Sequence, residues 1–279
     1  MDNHWIVENL EHALFTWNDK LEEMWSLLTE SPQSFKGGTI WDTIVTIHGG
    51  IQAIGYGLLV LFFAIGIFRS TANFRDFQRP EYVLKQFIHF LLAKLGITYG
   101  MDLLLAVFAI CNGMIASAAG SMGGMTGMSA TLPGEISAAI GNIGFLASIP
   151  LWLVTLLGSL FIMILSFIMI LTVYGRFFKI YIYAAISPVA LASFAGEGTS
   201  SFGKAFLRSY VGVCMEGVVI VLACMIYSAF ASSGMPVVNP DASVVMQVWI
   251  YIGEVIFNML VLVGLVKAAD RIVKEMFGI

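Results

Sequence analysis

The sequence predicts an all-α polytopic membrane protein with five transmembrane helices, a re-entrant or interfacial helical hairpin and an external N-terminal amphipathic helix. Three observations lead there. Apolar residues make up 58% of the 279 positions and charged residues 11%, where a soluble domain carries about 45–50% and about 25%. A soluble fold so poor in charge would expose large apolar patches. The apolar residues form long continuous runs, which suits helices crossing a hydrocarbon core and not the alternating strands of a membrane barrel. Finally, the basic residues gather at alternate ends of those runs.

The chain divides into residues 1–38, an amphipathic helix and linker, and 39–279, the transmembrane domain. Between Trp5 and Leu28, the residues Ile6, Leu10, Ala13, Leu14, Trp17, Leu21, Met24, Trp25 and Leu28 recur every three to four positions. Acids stand between them, so one helix face is apolar. That face docks on a partner protein or packs within the chain; the acidic opposite face disfavours anionic lipid. Asp2, Glu8, Glu11, Asp19, Glu22, Glu23 and Glu30 exclude a cleavable signal peptide, which starts basic. Ser31-Pro32 and Gly37-Gly38 then break the chain.

The five spans cover about 44–68, 87–118, 143–174, 211–231 and 244–266. The second is long enough to tilt or to project from the membrane. A Gly-, Ser- and Met-rich loop from Gly120 to Gly134 carries no basic residue. After the third span, Arg176 and Lys179 precede a short apolar stretch, Ile180 to Ala195, that contains Pro188. This stretch is too short for a span, and an inner hairpin over about 180–205 is expected. A polar loop with Pro236, Asn239, Pro240 and Asp241 separates the last two spans.

Orientation follows from Lys and Arg near span ends. With Arg69, Arg75, Arg79 and Lys85 inside, the segment from Arg176 through Lys204 to Arg208 also falls inside, as do Lys267, Arg271 and Lys274. Lys20 and Lys36 fall outside. Trp41, Trp152 and Trp249 lie near outer span ends, as an aromatic belt requires. The expected topology is N-terminus outside, C-terminus cytoplasmic.

Ionisable groups inside spans cost about 2.5–3.5 kcal/mol at a helix centre. Lys94, Asp102, Glu216 and Glu254 are of this kind, and Asn258 lies one turn beyond Glu254. They lock helices together, line a lumen, or relay protons. Lys94 and Glu216 sit at similar depth and are expected to pair. The glycines Gly49, Gly50, Gly55, Gly57, Gly141, Gly144, Gly212 and Gly217 allow close helix approach.

No cofactor or metal is expected. Cys111, Cys214 and Cys224 lie in apolar runs, and His4, His12, His48 and His89 form no ligand cluster. No Walker loop, His-Glu-x-x-His or Gly-x-Ser-x-Gly motif occurs, so the chain is not expected to be an enzyme, and driven transport requires a separate ATPase. The inner basic residues set topology or attract phosphate of lipid or nucleic acid. Without interleaved aromatics, they offer no stacking platform for bases.

The stretch Gly175–Phe194 reads GRFFKIYIYAAISPVALASF, and Phe202–Phe230 reads FGKAFLRSYVGVCMEGVVIVLACMIYSAF. This arrangement, best from about residue 140 onward, resembles the TrbL-like family of conjugal transfer proteins, polytopic inner-membrane subunits of type IV secretion systems. The resemblance implies a membrane-channel subunit of a bacterial plasma membrane that helps translocate DNA or protein substrate. It implies partners as well: other secretion subunits including a cytoplasmic ATPase, the lipid bilayer, copies of itself in a homo-oligomeric ring, and transient contact with transferred DNA. It offers no catalytic residues. Arg176, Lys179 and Pro188 match its cytoplasmic signature and, with Lys204 and Arg208, are expected to shape the inner hairpin and meet a partner. The compact chain suits a host with a single membrane. The alternatives are a permease subunit driven by a separate ATPase and a membrane scaffold. Against the permease, Glu197–Arg208 lacks a Glu-Ala-Ala coupling motif, and no second broken helix mirrors the first.

Overall fold

The computed structural model describes residues 4–71, 80–121, 129–141, 144–196, 198–231 and 243–279. Arg75, Arg79, Ile143, Glu197, Pro236, Asn239, Pro240 and Asp241, and residues 122–128 of the Gly-rich loop, lie outside them. The described residues form eight α-helices: α1 (His4–Thr29), α2 (Thr39–Thr71), α3 (Pro80–Thr98), α4 (Gly100–Ser121), α5 (Gly134–Gly141), α6 (Phe145–Ala192), α7 (Ser200–Ala231) and α8 (Val244–Phe277). Short 3-10 turns cover Phe35–Gly38 and Ser193–Ala195. Five stretches are long and apolar enough to cross a membrane: Phe35–Phe68, Gly100–Gly120, Ser148–Ala195, Ser200–Ala231 and Val244–Phe277. The protein is an all-α polytopic membrane protein.

The chain forms two compact units. The first comprises Met1–Thr29, Ile115–Tyr174 and Val219–Ala269. In it, α1 buries Ile6, Leu10, Ala13, Leu14, Trp17, Leu21, Met24 and Leu28, the apolar face read from the sequence. The chain itself supplies the packing partners. Helix α5 lies against α1, Trp5 meets Trp152 at 6.1 Å, and the Tyr174 hydroxyl donates to Glu23 at 2.6 Å. The Asn18 amide also donates to the Ala130 carbonyl and accepts from the Ala130 N–H, both at 2.9 Å. The expected docking of this face on a separate protein is therefore replaced by intramolecular packing. In α6, Thr155, Ser159, Ser166 and Thr172 each donate to a carbonyl three or four residues earlier, so their hydroxyls are satisfied within the helix. Helices α6 and α8 approach at Gly158, where a Cβ would stand 2.6 Å from Ile252 Cγ2.

The second unit comprises Glu30–Met114, Gly175–Val218 and Asp270–Ile279. Its core gathers Leu59 of α2, Ala93 and Ile97 of α3, and Leu191, Ala192 and Ala195 at the end of α6. Phe63 and Phe90 pack at 4.8 Å beside it. The second expected span is realised as two helices, α3 and α4, bent at Tyr99. The hydrogen-bond ladder passes through the bend, from Tyr99 N to Leu95 O and from Leu103 N to Tyr99 O, both 2.9 Å. Leu191 fills the notch, since a Cβ on Gly100 would lie 2.7 Å from its Cδ1.

The inner hairpin takes a different form from the one expected. Helix α6 does not stop at Lys179 or at Pro188; it runs through both to Ala192. The reversal comes at 193–199, where Thr199 Oγ1 donates to the Ser193 carbonyl at 2.7 Å, and α7 begins at Ser200. Gly196 fits this turn because any Cβ would stand 2.7 Å from the Phe62 carbonyl oxygen of α2.

Candidate functional site

The Ser187-Pro188 step shows why α6 survives a proline. Proline has no N–H and removes one i→i−4 bond, here the one owed to the Ala184 carbonyl. Two side chains replace it. Ser187 Oγ donates to that carbonyl at 3.0 Å, and His48 Nδ1 of α2 donates to it at 2.9 Å, which fixes the proton on Nδ1. Both side chains are buried. The match requires α2 to lie close, and Gly55 permits it: a Cβ there would stand 2.9 Å from Pro188 Cβ and 3.0 Å from its carbonyl oxygen. Pro188 itself is buried.

About two and three turns before this step, α6 carries Lys179 and Arg176 on the same side of the helix. Lys179 Nζ contacts Glu216 of α7 at 3.1 Å and Asp270 of α8 at 2.7 Å. Asp270 also holds Lys274 at 2.7 Å. Glu216 is 2% exposed, so its charge depends on this pairing. The expected pairing of Glu216 with Lys94 is not formed. Lys94 projects from α3 to the surface, and a match in depth along two helices says nothing of the direction in which each side chain points.

Arg176 is fully buried. It and Pro188 therefore cannot present themselves to a partner in this conformation, contrary to the expected contact role. Its guanidinium lies 5.5 Å from the Phe108 ring centre and against Gly217, where a Cβ would stand 2.4 Å from Nη1. Lys204 and Arg208 of α7 are exposed. Asp102, in the first turn of α4, is exposed as well, and Glu254 and Asn258 of α8 are half-buried. Beside Lys94, Thr98 Oγ1 hydrogen-bonds the Tyr56 hydroxyl, and Gln52 donates to the Ile97 carbonyl at 3.0 Å. Polar groups of α2 and α3 thus meet beside Lys94.

The sequence reading missed Asp270, Lys274 and His48. The four-residue spacing of Asp270 and Lys274 was a visible signal for an ion pair. Nothing local marked His48, whose acceptor is 136 residues away. Cys111, Cys214 and Cys224 are buried and unbridged. Among the described residues, no group of three His, Cys, Asp or Glu side chains is arranged to hold a metal ion.

The fold is that of a multi-span helical membrane protein with an ionic network around the buried Glu216. Its family is specific: the chain belongs to the TrbL/VirB6 plasmid conjugal transfer like proteins, which match residues 17–188. The match begins earlier than the resemblance in the sequence, within α1, and ends at Pro188. That family implies a membrane subunit of a conjugal transfer or type IV secretion system, acting with other components of the system. No match was found among curated proteins or among solved structures.

Proposed function

We propose that this protein is the membrane-channel subunit of a conjugative type IV secretion system and helps move DNA or protein substrate across the bacterial plasma membrane. The observation that carries the channel role is the exposure of Lys94 on α3 and of Asp102 in the first turn of the Gly100–Gly120 stretch. A charge facing hydrocarbon is costly, up to about 2.5–3.5 kcal/mol at a helix centre. A face bearing both is better covered by a second copy of the chain or by water in a passage, as in a homo-oligomeric ring. Residues 39–279 form the membrane domain with the C-terminus cytoplasmic, and α1, expected outside, packs along α6 between Trp152 and Tyr174. Exposed Lys204 and Arg208 are then available to a cytoplasmic ATPase. The chain contributes passage and contact surfaces, and the ATPase contributes the energy.

A photo-crosslinking amino acid at position 94, 102 or 161 tests this. Phe161 is 54% exposed on an apolar face and serves as the lipid-facing control. Crosslinks from 94 and 102 to a second copy or to transferring substrate, with lipid alone at 161, are expected. Lipid alone at all three positions contradicts the proposal.

A further inference from the structure

Arg176 is fully buried, and its Nε, Nη1 and Nη2 have no hydrogen-bond acceptor among the described residues. A buried cation without acceptors is strongly unfavourable. The surroundings leave no room for an incoming ligand, because the guanidinium fills the notch at Gly217 and faces Phe108. The charge must therefore be met from within. The guanidinium packs against Gly217 of α7, and the carboxylate next to that position is Glu216.

Glu216 is at present held by Lys179, with contacts of 3.1 and 3.4 Å. Three further facts make an exchange feasible. Arg176 and Lys179 are three residues apart on α6, so both face the same turn of α7. Lys179 has a second acid, Asp270 at 2.7 Å, and would keep a partner if Glu216 left. A cavity of about 40 Å³ is lined by Glu216 together with Tyr183, Ser209, Asp270 and Lys274, so free volume adjoins this residue. In the observed arrangement three cations, Arg176, Lys179 and Lys274, share two acids. Moving Glu216 to Arg176 leaves Asp270 with Lys179 and Lys274, and every cation is then paired.

We propose that Glu216 is an exchanging carboxylate, bound to Lys179 in the conformation seen and to Arg176 in a second one. The exchange releases α7 from its shared tie with Asp270 at the end of α8 and gives this unit two states. It does not depend on the conjugation reading, because it rests on the geometry of one chain.

The test is a double-mutant cycle on the full-length protein in lipid nanodiscs, read as melting temperature. Arg176→Met and Glu216→Gln are combined in the wild-type and in the Lys179→Met background. With Lys179 removed, Glu216 is expected on Arg176, and the two shifts should depart from additivity by about 3 °C or more. Additive shifts in that background overturn the proposal. If Lys179→Met does not fold, Lys179→Gln takes its place, with the same two outcomes.

Discussion

Ser187 donates its hydroxyl to the Ala184 carbonyl at 3.0 Å, the group that Pro188 leaves without an N–H. His48 shares the acceptor from α2. Loss of Ser187 alone leaves one donor, so Ser187→Ala should cost about 1 kcal/mol. Ser187→Ala with His48→Ala strands a buried carbonyl and should cost about 2–3 kcal/mol. Thermal unfolding of the purified protein checks both values, and the double variant should be the worse by more than the single losses suggest.

The approach of α2 to α6 at Gly55 leaves no space for a methyl group. Gly55→Ala places Cβ against backbone as well as the Pro188 ring, neither of which can rotate away. A loss of about 1–3 kcal/mol is expected, measured in the same way. Gly57→Ala is the control, because nothing lies within 4 Å of its Cβ position, and it should change little.

Lys179, not Lys94, should determine the stability of Glu216. Removing one partner of a buried pair costs about 3–5 kcal/mol, and the 39% exposure of Lys179 lowers the expectation to about 2 kcal/mol for Lys179→Ala. The double exchange Lys179→Glu with Glu216→Lys should recover part of what Glu216→Lys loses. Lys94→Glu with Glu216→Lys should recover none. Accumulation in the membrane and melting temperature distinguish these outcomes.

Much of this architecture is written locally, and the exceptions share a cause. The spans and the apolar face of α1 follow from runs and periodicity, which depend on neighbours in sequence. The continuity of α6 through Pro188 was not legible, because the donor that helps satisfy Ala184 comes from His48, on another helix. The bend at Tyr99 was hidden for the same reason: Leu191 of α6 fills the notch at Gly100. Glu216 falls within the Ser200–Ala231 stretch and Lys94 on α3, outside the five stretches, and which way each points is set by packing. Lys179 was read as a basic span end, which gave no hint of its two carboxylate partners.

Asn18 anchors α1 to the Gly-rich loop at Ala130. Asn18→Ala removes both bonds to Ala130 and should cost about 1–2 kcal/mol. Asn18→Asp keeps an acceptor for the Ala130 N–H but sets a carboxylate against its carbonyl, so it should be no better. Limited proteolysis within α1 reports the loosening directly.

Lys20 hydrogen-bonds Glu23 at 2.6 Å and lies 3.1 Å from Asp19, and these acids hold its ammonium above the ordinary range. A raised folded value means the pair stabilises fully below the unfolded lysine range and is lost as pH rises through the folded value. Melting temperature should therefore show no contribution from Lys20 titration between pH 6 and 9. In strongly alkaline buffer it should fall more for the wild type than for Lys20→Met.

The central claim is tested most directly by DNA transfer frequency after in-frame deletion of this gene in its native host, with plasmid complementation. Loss of transfer, restored by the intact gene and with growth unchanged, is the predicted result. Restoration should fail with Glu216→Lys and recover with Lys179→Glu added. Normal transfer without the gene would contradict a conjugative role and leave the helical membrane architecture standing.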